Sequence, residues 1–94
     1  MIVFDWNPGK NQQLIEERGI SFEHVVSAIE QGRLVDVFEY PNQQKYPGQM
    51  VYAVDLNDYI HLIPFVRDPA GVRFLKTIIP SRKATRDYRR THDG

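Results

Sequence analysis

The sequence predicts an α+β fold with two N-terminal helices, an antiparallel sheet of three or four strands, and a C-terminal basic helix. Three observations carry this. Apolar residues recur at helical spacing between Ser21 and Gly32. From Leu34 to Ile79 the period changes to two, in segments rich in β-branched and aromatic residues. Ser81 then opens a stretch dense in cations. The chain has 94 residues, enough for one core, so residues 1–94 are read as a single domain.

Each element follows from local chemistry. Asn7-Pro8 reads as an N-cap followed by proline at the first helical position, and Gly19 as a left-handed stop, giving a helix over 8–18. That helix is polar, with only Leu14 and Ile15 apolar, so it belongs on the surface. Ser21 caps the next helix, whose stripe is Phe22, Val25, Val26 and Ile29 and whose end is Gly32. Leu34–Tyr40, Met50–Leu56, Ile60–Arg67 and Arg73–Ile79 read as strands. Asn57-Asp58 is a short hairpin turn, and Asp68-Pro69-Ala70-Gly71 makes the next. Pro41–Gly48 is a longer polar loop. Pro64 implies an edge or a bulge, because proline cannot donate to a ladder. Ser81 caps a helix over 82–90 whose apolar contacts are Ala84 and Tyr88.

Charge divides the chain. Twelve bases balance twelve acids, but residues 1–62 hold four bases against nine acids, and residues 63–94 hold eight bases against Asp68, Asp87 and Asp93. A basic end on an acidic body focuses a field suited to phosphates; a solvated tail is the plainer reading. Zero cysteines exclude a disulfide framework and all thiolate chemistry. No apolar run reaches the roughly 18 residues of a membrane span. Met1–Trp6 is too short for a signal peptide and carries Asp5. A soluble cytoplasmic protein is expected.

Candidate chemistry narrows by residue type. His24, His61 and His92 show no metal-ligand spacing, so no metal and no cofactor is expected. Ser21 and Ser81 are explained as caps, and the tyrosines Tyr40, Tyr46, Tyr52 and Tyr59 as packing rather than base-stacking groups. By strand alternation His61, Ile63, Phe65 and Arg67 share one face, and Lys76 joins Arg67 if register allows. What remains is a set of cations: Lys10, Arg67, Lys76, Arg82, Lys83, Arg86 and Arg89. Cations suit RNA cleavage, because RNA carries its own nucleophile, the 2′-hydroxyl. The protein need only align it, take its proton and stabilise the charge on phosphorus.

The opening F-D-W-N-P-G-K (Phe4–Lys10), the G-I-S-F-E of Gly19–Glu23 and the closing I-I-P-S-R-K-A-T (Ile78–Thr85) resemble the BrnT-type toxins of bacterial type II toxin–antitoxin systems. The blocks stand in that family's order over nearly the whole chain. The resemblance implies a fold similar to the RelE ribonucleases and metal-independent endoribonuclease activity. It also implies a cognate antitoxin of ribbon–helix–helix type, with operator DNA reached only through that antitoxin. Lys10, Arg67 and Arg82 stand at the family's lysine and two arginines and are the implied catalytic residues. Arg18, His61, Lys76, Lys83, Arg86 and Arg89 are expected to bind substrate. Leu14, Arg18, Thr77 and Tyr88 stand where the family often has Asn, His, Arg and Glu, which leaves proton transfer open among Lys76, Arg18 and His61. The alternative is a catalytically weak nucleic-acid-binding or autoregulatory module. A structural domain with a merely solvated tail is the third reading.

Overall fold

The computed structural model describes residues 2–92, apart from the side chain of His92. The sequence readings of Met1, Asp93 and the His92 ring lie outside the described residues. In chain order the elements are β1 (Phe4–Trp6), α1 (Pro8–Arg18), α2 (Phe22–Glu30), β2 (Leu34–Glu39), β3 (Met50–Leu56), β4 (Tyr59–Arg67), β5 (Arg73–Leu75), β6 (Ile79–Pro80) and α3 (Arg82–His92). Among the described residues the fold is α+β, with three helices and one sheet of six strands.

The expected caps form. Asn7 Oδ1 accepts the Lys10 amide at 3.0 Å, and Gly19, at φ 65°, closes α1 in the left-handed region. Ser21 Oγ accepts the His24 amide at 3.1 Å. Asn57 and Asp58 take φ of 57° and 64°, the twist a two-residue hairpin needs. Asp68 Oδ1 accepts both the Ala70 and the Val72 amides at 2.9 Å and so fixes the second hairpin.

The sheet corrects the sequence reading in three places. It has six strands rather than three or four, and it is mixed: β1 pairs in parallel with β5, Phe4 opposite Arg73 and Trp6 opposite Leu75. Three residues are too short to show a period, and their partner lies at the other end of the chain. The expected strand Arg73–Ile79 breaks into β5 and β6, which pair in turn with different parts of β4. Pro64 is neither at an edge nor in a bulge. It is buried in the interior strand β4, opposite Val51. Its carbonyl accepts the Lys76 amide at 2.8 Å, so its nitrogen, which points the same way, faces the gap between β5 and β6. The missing donor falls where no ladder partner requires it.

One sheet face carries Tyr52, Val54, Leu56, Ile63, Phe65 and Leu75 and packs on Leu14 of α1 and on Phe22, Val25 and Ala28 of α2. Trp6 stacks on Phe22 with centroids 5.7 Å apart, tying β1 to α2. Asn11, 7% exposed, joins the two helices: its Oδ1 accepts the Phe22 amide at 2.8 Å and its Nδ2 donates to Glu23 at 2.6 Å. In α2, Ala28 joins the buried stripe while Val26 and Ile29 are half-buried, and in α1 Ile15 is left 40% exposed.

Helix α3 lies on the opposite face and runs past the expected end at 90 to His92. It is held by more than Ala84 and Tyr88. Thr85 is 4% exposed; its hydroxyl accepts the Ile60 amide at 2.8 Å and donates to the Ser81 carbonyl at 2.7 Å. The Ser81 amide donates to the Ile60 carbonyl at 2.9 Å. Both outward backbone groups of Ile60 are thus satisfied by the start of α3.

Candidate nucleic-acid interface

His61 faces the helix-covered side of the sheet, because it sits opposite the buried Val54 in the β3–β4 ladder. Its Nδ1 lies 2.8 Å from the Tyr59 carbonyl oxygen, which can only accept, so Nδ1 carries the proton in the neutral ring and Nε2 keeps a lone pair. The Tyr59 ring meets the imidazole edge to face at 5.7 Å. Burial is the main cause pulling the His61 pKa below its ordinary 6.5; the charges of His24 and Arg18 act in the same sense, against the Tyr59 carbonyl and Asp55. His61 is therefore a neutral base at physiological pH, set in the field of two basic side chains.

Arg18 and His24 reach this position through the helix junction. Gly19 ends α1 and Ser21 starts α2, while Asn11 bonds one helix to the other. Arg18 donates from one guanidinium nitrogen to the Ile78 carbonyl at 2.8 Å, which fixes it beside β6. A cleft of about 220 Å³ opens next to His24, lined also by Ser27, Arg33, Asp55 and Asn57. Asp55 has a buried carboxylate oxygen, Oδ1, with no hydrogen-bond partner among the described residues.

The other predicted cations stand elsewhere. Lys10, half-buried in the first turn of α1, lies on one stripe with Leu14 and Arg18, about 12 Å from Arg18 along the helix. Arg67 does share a face with His61, but six residues of strand put it about 20 Å away. Arg82 starts α3, next to Ile60 and on the opposite side of the sheet. Lys10, Arg67 and Arg82 therefore do not converge on one phosphate. Lys76 does not join Arg67. The register places Arg67 opposite Arg73, so Lys76, an odd number of residues further on, points to the other face, with its ammonium 5.4 Å from the Phe74 ring centroid. Arg82, Lys83, Arg86, Arg89 and Arg90 are all exposed on α3. Arg89 donates to the Asp58 carbonyl at 2.9 Å, and Arg86 lies 3.9 Å from Asp87 in an exposed pair of little energetic weight.

Two residues that the sequence reading passed over belong to this description. Arg73 is the direct cross-strand partner of Arg67. Tyr52, taken for packing, is indeed 5% exposed and stacks on Phe65 at 3.9 Å, but both arginines act on its hydroxyl. Equal counting from an Asp68–Gly71 turn would pair residue 67 with 72; the Asp68 amide instead donates to the Val72 carbonyl, which shifts the register by one and sets 67 opposite 73. A cavity of about 460 Å³ lies away from these groups, in an apolar groove between α3 and β2 lined by Val35, Phe38, Ala53, Leu62, Ala84 and Tyr88.

Compared with family models, curated proteins and solved structures, the chain has no match in any of the three. No helix among the described residues is long and apolar enough to cross a membrane.

Proposed function

We propose that the protein is a metal-independent endoribonuclease whose reacting centre lies at His61, between Arg18 and His24. One observation carries this reading: a neutral imidazole with its tautomer fixed by the Tyr59 carbonyl and its free Nε2 set near Arg18 and His24. Nε2 takes the proton of a 2′-hydroxyl as its oxygen bonds to the adjacent phosphorus. The bond from phosphorus to the 5′-oxygen breaks, and that oxygen takes a proton from solvent. Arg18 supplies positive charge as negative charge grows on the phosphoryl oxygens, and the His24 ring can donate a hydrogen bond to them. The products carry 2′,3′-cyclic phosphate and 5′-hydroxyl ends. The cations of α3 attract the strand rather than act on the reacting bond.

The resemblance to the BrnT-type toxins supports the same reading. It adds a RelE-like fold, a cytoplasmic setting and a ribbon–helix–helix antitoxin, with operator DNA reached through that partner. The apolar groove beside α3 suits a protein partner better than a nucleic acid. The dispersal of Lys10, Arg67 and Arg82 favours a second reading, a module that binds RNA without cutting it. The test is incubation of the purified protein with RNA in excess chelator, with the ends of the products identified. Cleavage to cyclic phosphate ends that His61→Gln abolishes supports the enzyme. Intact RNA that is nonetheless bound supports the module.

A further inference from the structure

Arg67 and Arg73 are direct partners across the β4–β5 ladder. Like charges in that position repel and cost stability unless something lies between them. Yet neither guanidinium has an ion pair or a hydrogen bond among the described residues. The nearest acid in the chain, Asp68, commits Oδ1 to the Ala70 and Val72 amides.

Beside the pair stands a second unusual group. The Tyr52 ring lies flat on Phe65, with an interplanar angle of 9°, and takes the Phe4 ring edge-on at 6.2 Å. Tyr52 is level with Ile63 in the ladder, and Phe65 is two residues nearer Arg67, so the ring leans toward the arginines. Phe4 is the register partner of Arg73 and closes the other side. The residue is 5% exposed, yet its hydroxyl makes no hydrogen bond among the described residues. Burial raises its pKa, while Arg73 and then Arg67 lower it, so both positive charges are felt at that oxygen. The phenol is thus a protonated donor at physiological pH, held rigidly by two aromatic neighbours.

We propose that Arg67, Arg73 and the Tyr52 hydroxyl form a binding site for a phosphoryl group, separate from the His61 centre. Two planar forks and one hydroxyl offer more donors than the two oxygens of a carboxylate can take, whereas a phosphoryl group presents three or more. The bound anion relieves the repulsion between the guanidinium groups and pairs the Tyr52 hydroxyl, whose oxygen keeps access to solvent although the ring is buried. The site lies about 20 Å from His61 along β4 and contains no general base. It holds a phosphate without reacting with it. The inference does not depend on RNA cleavage, since a protein that never cuts RNA retains the same three groups.

The experiment is a titration of the full chain with inorganic phosphate, followed by NMR of the arginine Nε–H groups and the tyrosine ring. Saturable shifts at Arg67, Arg73 and Tyr52 are expected. Arg73→Lys keeps the charge and loses the fork, and is expected to weaken binding about tenfold or more. Tyr52→Phe keeps the ring stack and loses only the hydroxyl, and is expected to weaken it about threefold to tenfold. Arg90→Gln leaves it unchanged. Dispersed amide spectra of each variant establish that it is folded. Deoxyoligonucleotides with and without a 5′-phosphate separate the sources: a preference for the first assigns a terminal phosphate, and equal binding assigns an internal phosphodiester. Shifts confined to α3, or full affinity in Arg73→Lys, overturn the proposal, as does the absence of saturable binding.

Discussion

The two ends of β4 on the helix-covered face use one backbone and opposite chemistry. At the start of the strand, His61 is a titratable ring half-buried among Arg18, His24 and Tyr59. At its end, Arg67 and Arg73 are permanent charges beside a phenol that stays protonated. A group that takes a proton must be a titratable base with a free lone pair, and the first end has one in His61. A group that grips an anion needs a fixed fork of donors, and the second end has two. A sequence rich in cations suggests one site, but a strand separates its residues by about 3.3 Å each, and that spacing holds the two ends apart.

The largest expected effect breaks the comparison cleanly. His61→Gln lowers kcat for RNA cleavage about 100- to 10,000-fold and leaves the affinity for RNA nearly unchanged. Arg67→Gln does the reverse, raising KM with kcat retained. Single-turnover kinetics on one labelled strand measure both. The same loss of kcat in both variants would mean that the two ends act as one site. In the unmutated protein kcat/KM rises with pH to a plateau, and the midpoint of the rise lies below 6.5, because burial, His24 and Arg18 lower the pKa of the ring in the free protein.

The next effect tests what positions the first end. Asn11→Ala removes the acceptor of the buried Phe22 amide and the bond to Glu23. Leaving that amide unpaired costs about 1–3 kcal/mol, read from the midpoint of denaturant unfolding. It also frees α1 from α2, so cleavage falls further than stability alone explains, while phosphate binding at Arg67 and Arg73 persists. On the other face, Thr85→Val strands the Ile60 amide and costs about the same. It loosens α3 without moving Arg18 or His24. Loss of kcat in Thr85→Val equal to that in Asn11→Ala would show that the helix junction is not what aligns the first end.

Smaller again is the pH dependence of stability. The folded pKa of His61 is depressed, so the unfolded chain binds its proton first as pH falls. The contribution of His61 is complete above 6.5, declines below it and is lost as pH passes through the folded value. Thermal unfolding of the protein beside His61→Gln measures this. The difference between the two should change between pH 7 and pH 5 and be flat above pH 7. A change above pH 7 would assign the titration to another group.

Much of the frame was legible because its causes are local. Asn7, Ser21, Gly19 and the Asn57-Asp58 turn each act within a few residues, and each does what its chemistry predicts. What escaped depends on distant partners. Strand β1 is three residues long and finds its register only against Arg73–Leu75. Pro64 misled because its missing donor faces a gap that β5 and β6 create together. The sequence reading gave the last helix apolar contacts at Ala84 and Tyr88 alone; Thr85 is buried as well, because its hydroxyl accepts the Ile60 amide. In the candidate site, alternation put His61 and Arg67 on one face correctly, but it carries no distance. The Arg73 partnership needed the register of a hairpin, and the tautomer of His61 needed the position of a carbonyl.

The smallest expected effect separates the diffuse field of α3 from both ends of β4. Arg90 is exposed on the last turns of the helix, on the side away from Thr85 and Ile60. Such a charge attracts a polyanion without holding any one phosphate, and salt screens it within about 8–10 Å. Arg90→Gln therefore changes stability by less than about 0.5 kcal/mol and leaves kcat intact. Its mark is on salt dependence. Each phosphate contact on a single strand contributes about −0.7 to the slope of log affinity against log salt, so losing one cation makes the slope shallower by at most that amount. Titrations of RNA binding at several salt concentrations measure it, using His61→Gln so that the strand stays whole. A fall in kcat after Arg90→Gln would place α3 at the reacting phosphate and remove the distinction between a field that gathers RNA and a centre that acts on it.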